Sequence, residues 1–145
     1  MEHHTTTAMT VLRRSQHLRL PEVGATAGQI CAELYAEAQE RGLKVEGVPI
    51  FAARGLPQDS RTVFELDICL PVAGDGLPTL PAMHCVRRLY EGPLTELFTR
   101  GYQPLLQAIA QAGLQPNGNS REIYHVWHGP RANDNRIEIQ IGIAP

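Results

Sequence analysis

Residues 41–47 read RGLKVEG and residues 112–118 read AGLQPNG, so Gly-Leu-x-x-x-Gly occurs twice at an offset of 71 residues. Gly42 matches Gly113, Leu43 matches Leu114 and Gly47 matches Gly118. A self-similarity of this kind, once seen, organises the whole chain. Before each turn the apolar residues recur at helical spacing: Ala27, Ile30, Leu34 and Ala38 in the first copy; Leu94, Leu97, Phe98, Tyr102, Leu105 and Ile109 in the second. Gly42 and Gly113 fall where a helix C-terminus takes up the left-handed conformation. The second helix opens on Gly92-Pro93, with proline where its missing N–H leaves no bond unmade. Pro104 lies further in and predicts a bend near Gly101 and Pro104, a deformable wall if a groove lies beside it.

After each turn come two strand-like stretches. The last of each copy alternates strictly, TVFELDICLPV at 62–72 and NRIEIQIGIAP at 135–145. Phe64, Leu66, Ile68 and Leu70 share one face, as do Ile137, Ile139, Ile141 and Ile143, and these faces are built for a core. The opposite faces carry Glu65, Asp67 and Cys69, and Arg136, Glu138, Gln140 and Gly142. The opening strands are read at Val11–Leu20 and Ala82–Tyr90. Each copy is then strand, helix, strand, strand. Repeat one spans 11–72, the Gly/Pro-rich VAGDGLPTLP at 72–81 is the connector, repeat two spans 82–145, and residues 1–10 are expected to be disordered. The fold class is α+β, an antiparallel sheet with both helices on one side. A half of about 70 residues buries too little apolar area to stand alone, so the halves are expected to share one sheet in a single domain over 11–145.

The chain has 145 residues, 43% hydrophobic and 19% charged, an ordinary globular composition. No apolar run nears the roughly 20 residues needed to span a bilayer, and MEHHTTTAMT has no apolar signal segment, so the expected location is the cytoplasm. Thirteen basic residues against fifteen acidic ones give a formal charge of −2, with clustering only at Arg13-Arg14 and Arg87-Arg88. Direct nucleic-acid binding needs a basic face and is not expected. Cys31, Cys69 and Cys85 are odd in number and form no CxxC, so they read as reduced, buried thiols.

The segment RRLYEGPLTELFTRGYQPLLQAIAQAGLQPNG, then REIYHVW and the terminal IEIQIGIAP, resembles the second half of GyrI-like domains, the effector-binding modules of bacterial multidrug-sensing regulators. The resemblance runs over about Val11–Pro145 and is strongest from Leu89, where EGP, E-x-Y and E-I-Q follow in family order. It implies a duplicated fold of GyrI-like or SOUL-type topology with a ligand groove along its pseudo-twofold. It also implies a groove carboxylate on the last strand, which falls on Glu138, and a ligand-stacking E-x-Y tyrosine, which falls on Tyr124. The first half departs from the pattern: PEVGATAGQ at 21–29 stands where the family often has a Gly-Pro turn. No helix-turn-helix precedes the domain, so the chain reads as a standalone version.

Glu138, set in an apolar strand and facing away from the isoleucines, is read as a partly desolvated carboxylate able to pair with a cation or act as a base. Alternation puts Glu122 and Tyr124 on one face and Trp127 on the other, unless a bulge intervenes. Phe51 is matched to Tyr124 as the opposite wall, and Glu65, Tyr102 and Met83 complete the expected ligand-binding set. His125 and His128 offer H-x-x-H spacing, but a strand points them apart, so no metal is expected. His84 beside Cys85 is a weak nucleophile and base pair for the same reason. No cofactor is expected; a haem reading would need His17 or His84 in the pocket.

The leading function is capture of hydrophobic or aromatic drug-like molecules, cationic ones included, in an acidic, aromatic groove. The alternative enzyme is a hydrolase of reactive electrophiles such as cyclopropane-bearing DNA alkylators, with Glu138 activating water. A third reading is a protein-interaction domain that protects a partner such as a topoisomerase.

Overall fold

The computed structural model describes all residues, Met1–Pro145. In chain order its elements are β1 (Glu2–Thr5), β2 (Met9–Leu18), α1 (Val23–Glu40), β3 (Lys44–Val45), β4 (Ile50–Arg54), β5 (Phe64–Ala73), β6 (Thr79–Leu80), β7 (His84–Glu91), α2 (Gln103–Gln111), β8 (Pro116–Val126) and β9 (Arg136–Ile143). They form two compact units, Thr7–Ala82 and a second made of Met1–Thr6 with Met83–Pro145. No helix is long and apolar enough to cross a membrane.

Within Thr7–Ala82 the strictly alternating strand β5 is central. It pairs antiparallel with β2, Ser15 opposite Asp67, and with β4, Phe51 opposite Ile68. Helix α1 buries Ala27, Ile30, Leu34 and Ala38 in one cluster with Phe64, Leu66, Ile68 and Leu70, the residues whose spacing predicted both faces. In the other unit β9 is central, flanked antiparallel by β7 and β8, with Glu122 opposite Ile139. The α+β class and the duplicated strand-helix-strand-strand unit are therefore present in the fold, with the last strand of each copy in the middle because only it carries a buried face on every turn of its alternation.

Both helices end as the glycines require. Gly42 and Gly113 have φ of 63° and 68°, and the amides of Leu43 and Leu114 reach back to the carbonyls of Ala38 and Ile109 at 2.9 and 3.1 Å. These bonds satisfy carbonyls that the helix end would otherwise leave open.

The second helix is not one regular helix. A 3-10 turn at Leu94–Glu96 passes into a π-helical segment, Leu97–Tyr102, and only then into α2. Pro104 sits in the first turn of α2, and the π turn closes just before it, with the Gln103 amide bonded to the Phe98 carbonyl. Gly101 lets this segment lie against β9: a Cβ there would stand 2.7 Å from Ile139 Cδ1 and 3.3 Å from Leu97 Cδ1. π turns are rare and recur at functional sites.

Two boundaries differ from the sequence reading. Glu2–Thr5, expected to be disordered, forms β1 on β7 with Glu2 paired to Arg87; the Thr6 amide donates to the Met83 carbonyl and the Met83 amide to Thr6 Oγ1. The edge of β7 supplies the unpaired backbone groups that hold them. The connector is partly a strand, β6, paired with Met9 and Thr10. On the face of β5 opposite its core residues Asp67 is buried, and Cys69 is buried as expected.

Candidate functional site

The register of β8 on β9 decides which side chains meet. Glu122 lies opposite Ile139 and Tyr124 opposite Ile137, so both share the face of the buried isoleucines. The π-helical segment packs on that same face through Gly101 and brings Tyr102 with it. The Tyr102 hydroxyl donates to Glu122 Oε2, and the Tyr124 hydroxyl donates to Glu122 Oε1 at 2.8 Å. One carboxylate is thus held by two phenols, one from the helix and one from its own strand.

Burial raises the Glu122 carboxyl above the ordinary carboxylate range, and the two tyrosine bonds, which favour the charged form, offset this only in part. The Tyr102 hydroxyl is pushed well above its usual value, first by burial and then by Glu122. Tyr102 therefore stays a neutral donor.

Around this centre stand two further aromatic rings. Phe98, one turn before Tyr102, stacks on it with centroids 6.3 Å apart. Trp127 meets the Tyr124 ring edge-on at 5.4 Å and 73°. Strict alternation would send Trp127 to the other face, but the register of β8 shifts between Tyr124 and Val126, a bulge that turns it back. Phe98 and Trp127 remain 42% and 44% exposed, which is unusual for rings of this size. The carboxylate is thus held by Tyr102 and Tyr124, and each of those rings is met in turn by an exposed one, Phe98 or Trp127.

Glu138 is in a different place. It lies opposite Ile123 and Leu89, on the face away from the isoleucines, and so cannot share a site with Glu122 and Tyr124. Gln140 Nε2 donates to it at 2.7 Å, His125 Nε2 lies 2.9 Å away and Arg87 3.6 Å away. Burial alone would raise this carboxyl, but Gln140, His125 and Arg87 outweigh it and hold it below the ordinary value. It is a satisfied carboxylate. The 71-residue offset that equates Ile68 with Ile139 equates Asp67 with Glu138 and Arg54 with His125, and Arg54 bonds Asp67 at 3.1 Å. The same acid and base pair is built into both copies, which marks it as part of the sheet.

The two carboxylates predict opposite pH slopes. Glu138, depressed in the fold, contributes stability that is present above the unfolded pKa of about 4.3 and is lost as pH falls through its lower folded value. Glu122, raised in the fold, contributes stability present below that unfolded value and lost as pH rises through its higher folded one. Urea midpoints across pH are expected to show Glu138→Gln approaching the parent protein in acid, and Glu122→Gln gaining on it towards neutrality.

The remaining residues read as site candidates are dispersed. Met83 is buried beside β1, its backbone bonded to Thr6. Glu65 pairs with Arg54 at 2.7 Å and Phe51 packs on the core, both in the Thr7–Ala82 unit. By register Phe51 corresponds to Glu122, not to Tyr124, whose counterpart is Ala53. Burial pushes the Cys85 thiol up, and His84 turns instead to Thr5. His125 and His128 contact Glu138 and Asp134 respectively, and no cluster of three or more potential metal ligands forms. His17 lies opposite Glu65.

No single candidate reading joined Tyr102 to Glu122. A signal existed: 71 residues earlier stand Cys31, Phe51 and Ala53 in place of Tyr102, Glu122 and Tyr124, while the core positions around them match in kind. Three polar replacements on an otherwise matching apolar face of only one copy point to a site.

No family model and no curated protein matches the sequence. Among solved structures the chain is similar to the C-terminal domain of EcmrR, with TM-score 0.78 and 16% identity over 98% of this chain and 95% of that one. In the complex of EcmrR with DNA the chain spans 56% of the EcmrR chain, with TM-score 0.77. It is also similar to SAV2435 bound to tetraphenylphosphonium, with TM-score 0.60 and 11% identity over 99% and 94% of the two chains. With two copies of strand-helix-strand-strand and likeness to these structures along its whole length, the chain has the GyrI-like fold.

Proposed function

We propose that this chain captures hydrophobic aromatic cations, with Glu122 as counter-ion, Tyr102 and Tyr124 holding its carboxylate, and Phe98 and Trp127 as stacking walls. The observation that carries the reading is the carboxylate itself: partly desolvated and bonded to two phenols, beside rings whose faces attract cations. SAV2435, which shares the fold, takes tetraphenylphosphonium, and this cation is a suitable probe.

A second reading, hydrolysis of a small electrophile, is favoured by the raised Glu122 carboxyl, since a base poised nearer neutrality takes a proton from water more readily. In that case the residue activating water is Glu122 in place of Glu138.

Titration of Trp127 fluorescence, the chain having one tryptophan, tests the proposal. Saturable quenching by tetraphenylphosphonium, with weaker response to neutral triphenylphosphine oxide, is the expected result. Equal response to both sinks the counter-ion role. Mass spectrometry of a cyclopropane-bearing alkylator incubated with the protein separates turnover from capture.

A further inference from the structure

Asn135, the residue just before β9, is fully buried at 0% exposure, and no ligand-facing role accounts for it. Its side chain is the centre of a small backbone network. Oδ1 accepts from the His128 amide at 2.7 Å, and Nδ2 donates to the carbonyls of Gly129 and Ala132 at 2.7 and 3.2 Å. Its own carbonyl accepts from the Gly92 amide at 3.1 Å, while the Leu94 amide donates to Pro130 at 2.8 Å. Two segments meet here. One is the loop 128–132, which begins one residue after Trp127. The other is the Gly92-Pro93-Leu94 turn, which feeds the 3-10 turn and the π-helical segment bearing Phe98 and Tyr102.

Neither wall of the aromatic site is fixed by burial of its outer ring. Trp127 and Phe98 are exposed by more than two fifths of their surface, so their placement depends on the backbone beneath them. The Asn135 side-chain amide holds the 128–132 loop in shape, and the main-chain bonds Gly92–Asn135 and Leu94–Pro130 join that loop to the turn before the helical segment. Asparagine suits the position because only an amide offers an acceptor to one backbone N–H and two donors to carbonyls.

We propose that Asn135 is the positioning residue of the aromatic site: by folding the 128–132 loop onto the start of the helical segment, it makes the wall with Trp127 and the wall with Tyr102 one rigid piece. The inference rests on the proposed capture of aromatic cations at Glu122. It extends that reading by naming what preorganises the rings, which determines how much side-chain freedom a ligand must still remove on binding.

Asn135→Asp tests it, since the carboxylate keeps the acceptor for His128 but turns an oxygen towards the Gly129 and Ala132 carbonyls. Well below the unfolding temperature, Trp127 anisotropy is expected to fall and the tetraphenylphosphonium dissociation constant to rise about tenfold, the effect of two side chains left unordered before binding. A lowered melting temperature with anisotropy and affinity unchanged would overturn the proposal, because a merely structural asparagine acts on stability alone.

Should the variant not fold, hydrogen exchange on the parent protein decides. The amides of Gly92, Leu94 and His128 are expected to open together, at one rate; independent opening of His128 overturns the proposal. If tetraphenylphosphonium binds nowhere, the function proposed above fails, while anisotropy and exchange still decide whether Asn135 couples the two walls.

Discussion

Glu122→Gln is expected to weaken tetraphenylphosphonium binding by at least about 30-fold, because removing one partner of a desolvated charge pair costs about 2–5 kcal/mol and each 1.4 kcal/mol is tenfold. Glutamine fills the same space and still accepts from a phenol, so the change isolates charge from shape. Triphenylphosphine oxide should lose little, and the gap between the two probes should close. Some binding of the cation is expected to remain, since Phe98, Tyr102, Tyr124 and Trp127 still present ring faces worth about 0.5–2 kcal/mol each to a cation. Glu138→Gln is the matched control. Its carboxylate is already bonded by Gln140, His125 and Arg87 on the other face of the sheet, and its loss should leave affinity within about twofold while lowering the urea midpoint. Equal losses in the two variants, measured by titration of Trp127 fluorescence, would refute the assignment of Glu122 as counter-ion.

The contrast between these two glutamates shows what the sequence made legible and what it did not. Ile137, Ile139, Ile141 and Ile143 alternate with polar residues, and Ala27, Ile30, Leu34 and Ala38 recur at helical spacing, so strands and helices followed from period alone. The glycine turns fixed both helix ends. A carboxylate's face depends on more than its own strand. Glu138 was read correctly as pointing away from the isoleucines, but that face is not the one on which Tyr102 lies. The face of Glu122 is set by how β8 pairs with β9, and that pairing shifts between Pro116 and Ser120 and again between Tyr124 and Val126. A one-residue slip exchanges the two faces, and bulges of this kind leave no period in the sequence. The turn that brings Trp127 to Tyr124 was hidden for the same reason. Pro104 did announce an irregular helix, but not that a π turn would aim Tyr102 at a carboxylate twenty residues on.

Ile139→Ala is expected to cost about 2–5 kcal/mol of stability, a large part of the 5–15 kcal/mol that holds a typical domain together. Ile139 is fully buried, lies opposite Glu122 on β9, and its Cδ1 fills the space just beneath Gly101. Removing it opens a cavity directly under the π-helical segment. The least constrained wall of that cavity is the segment itself, whose Gly101 has no side chain to keep it off the sheet. Collapse there carries Tyr102 with it and lengthens the bond to Glu122, so affinity for tetraphenylphosphonium should fall along with stability. Leu34→Ala provides the comparison. Leu34 is also fully buried, on α1 in the other unit, and its loss belongs to the same 2–5 kcal/mol class. Urea unfolding is expected to rank the two variants together, whereas fluorescence titration at low denaturant should separate them, with only Ile139→Ala binding weakly. If both bind as the parent protein does, the position of Tyr102 does not depend on the packing beneath Gly101, and the π turn must be held from its two ends, by the Gly92–Asn135 bond before it and by Leu105 and Ile109 of α2 after it.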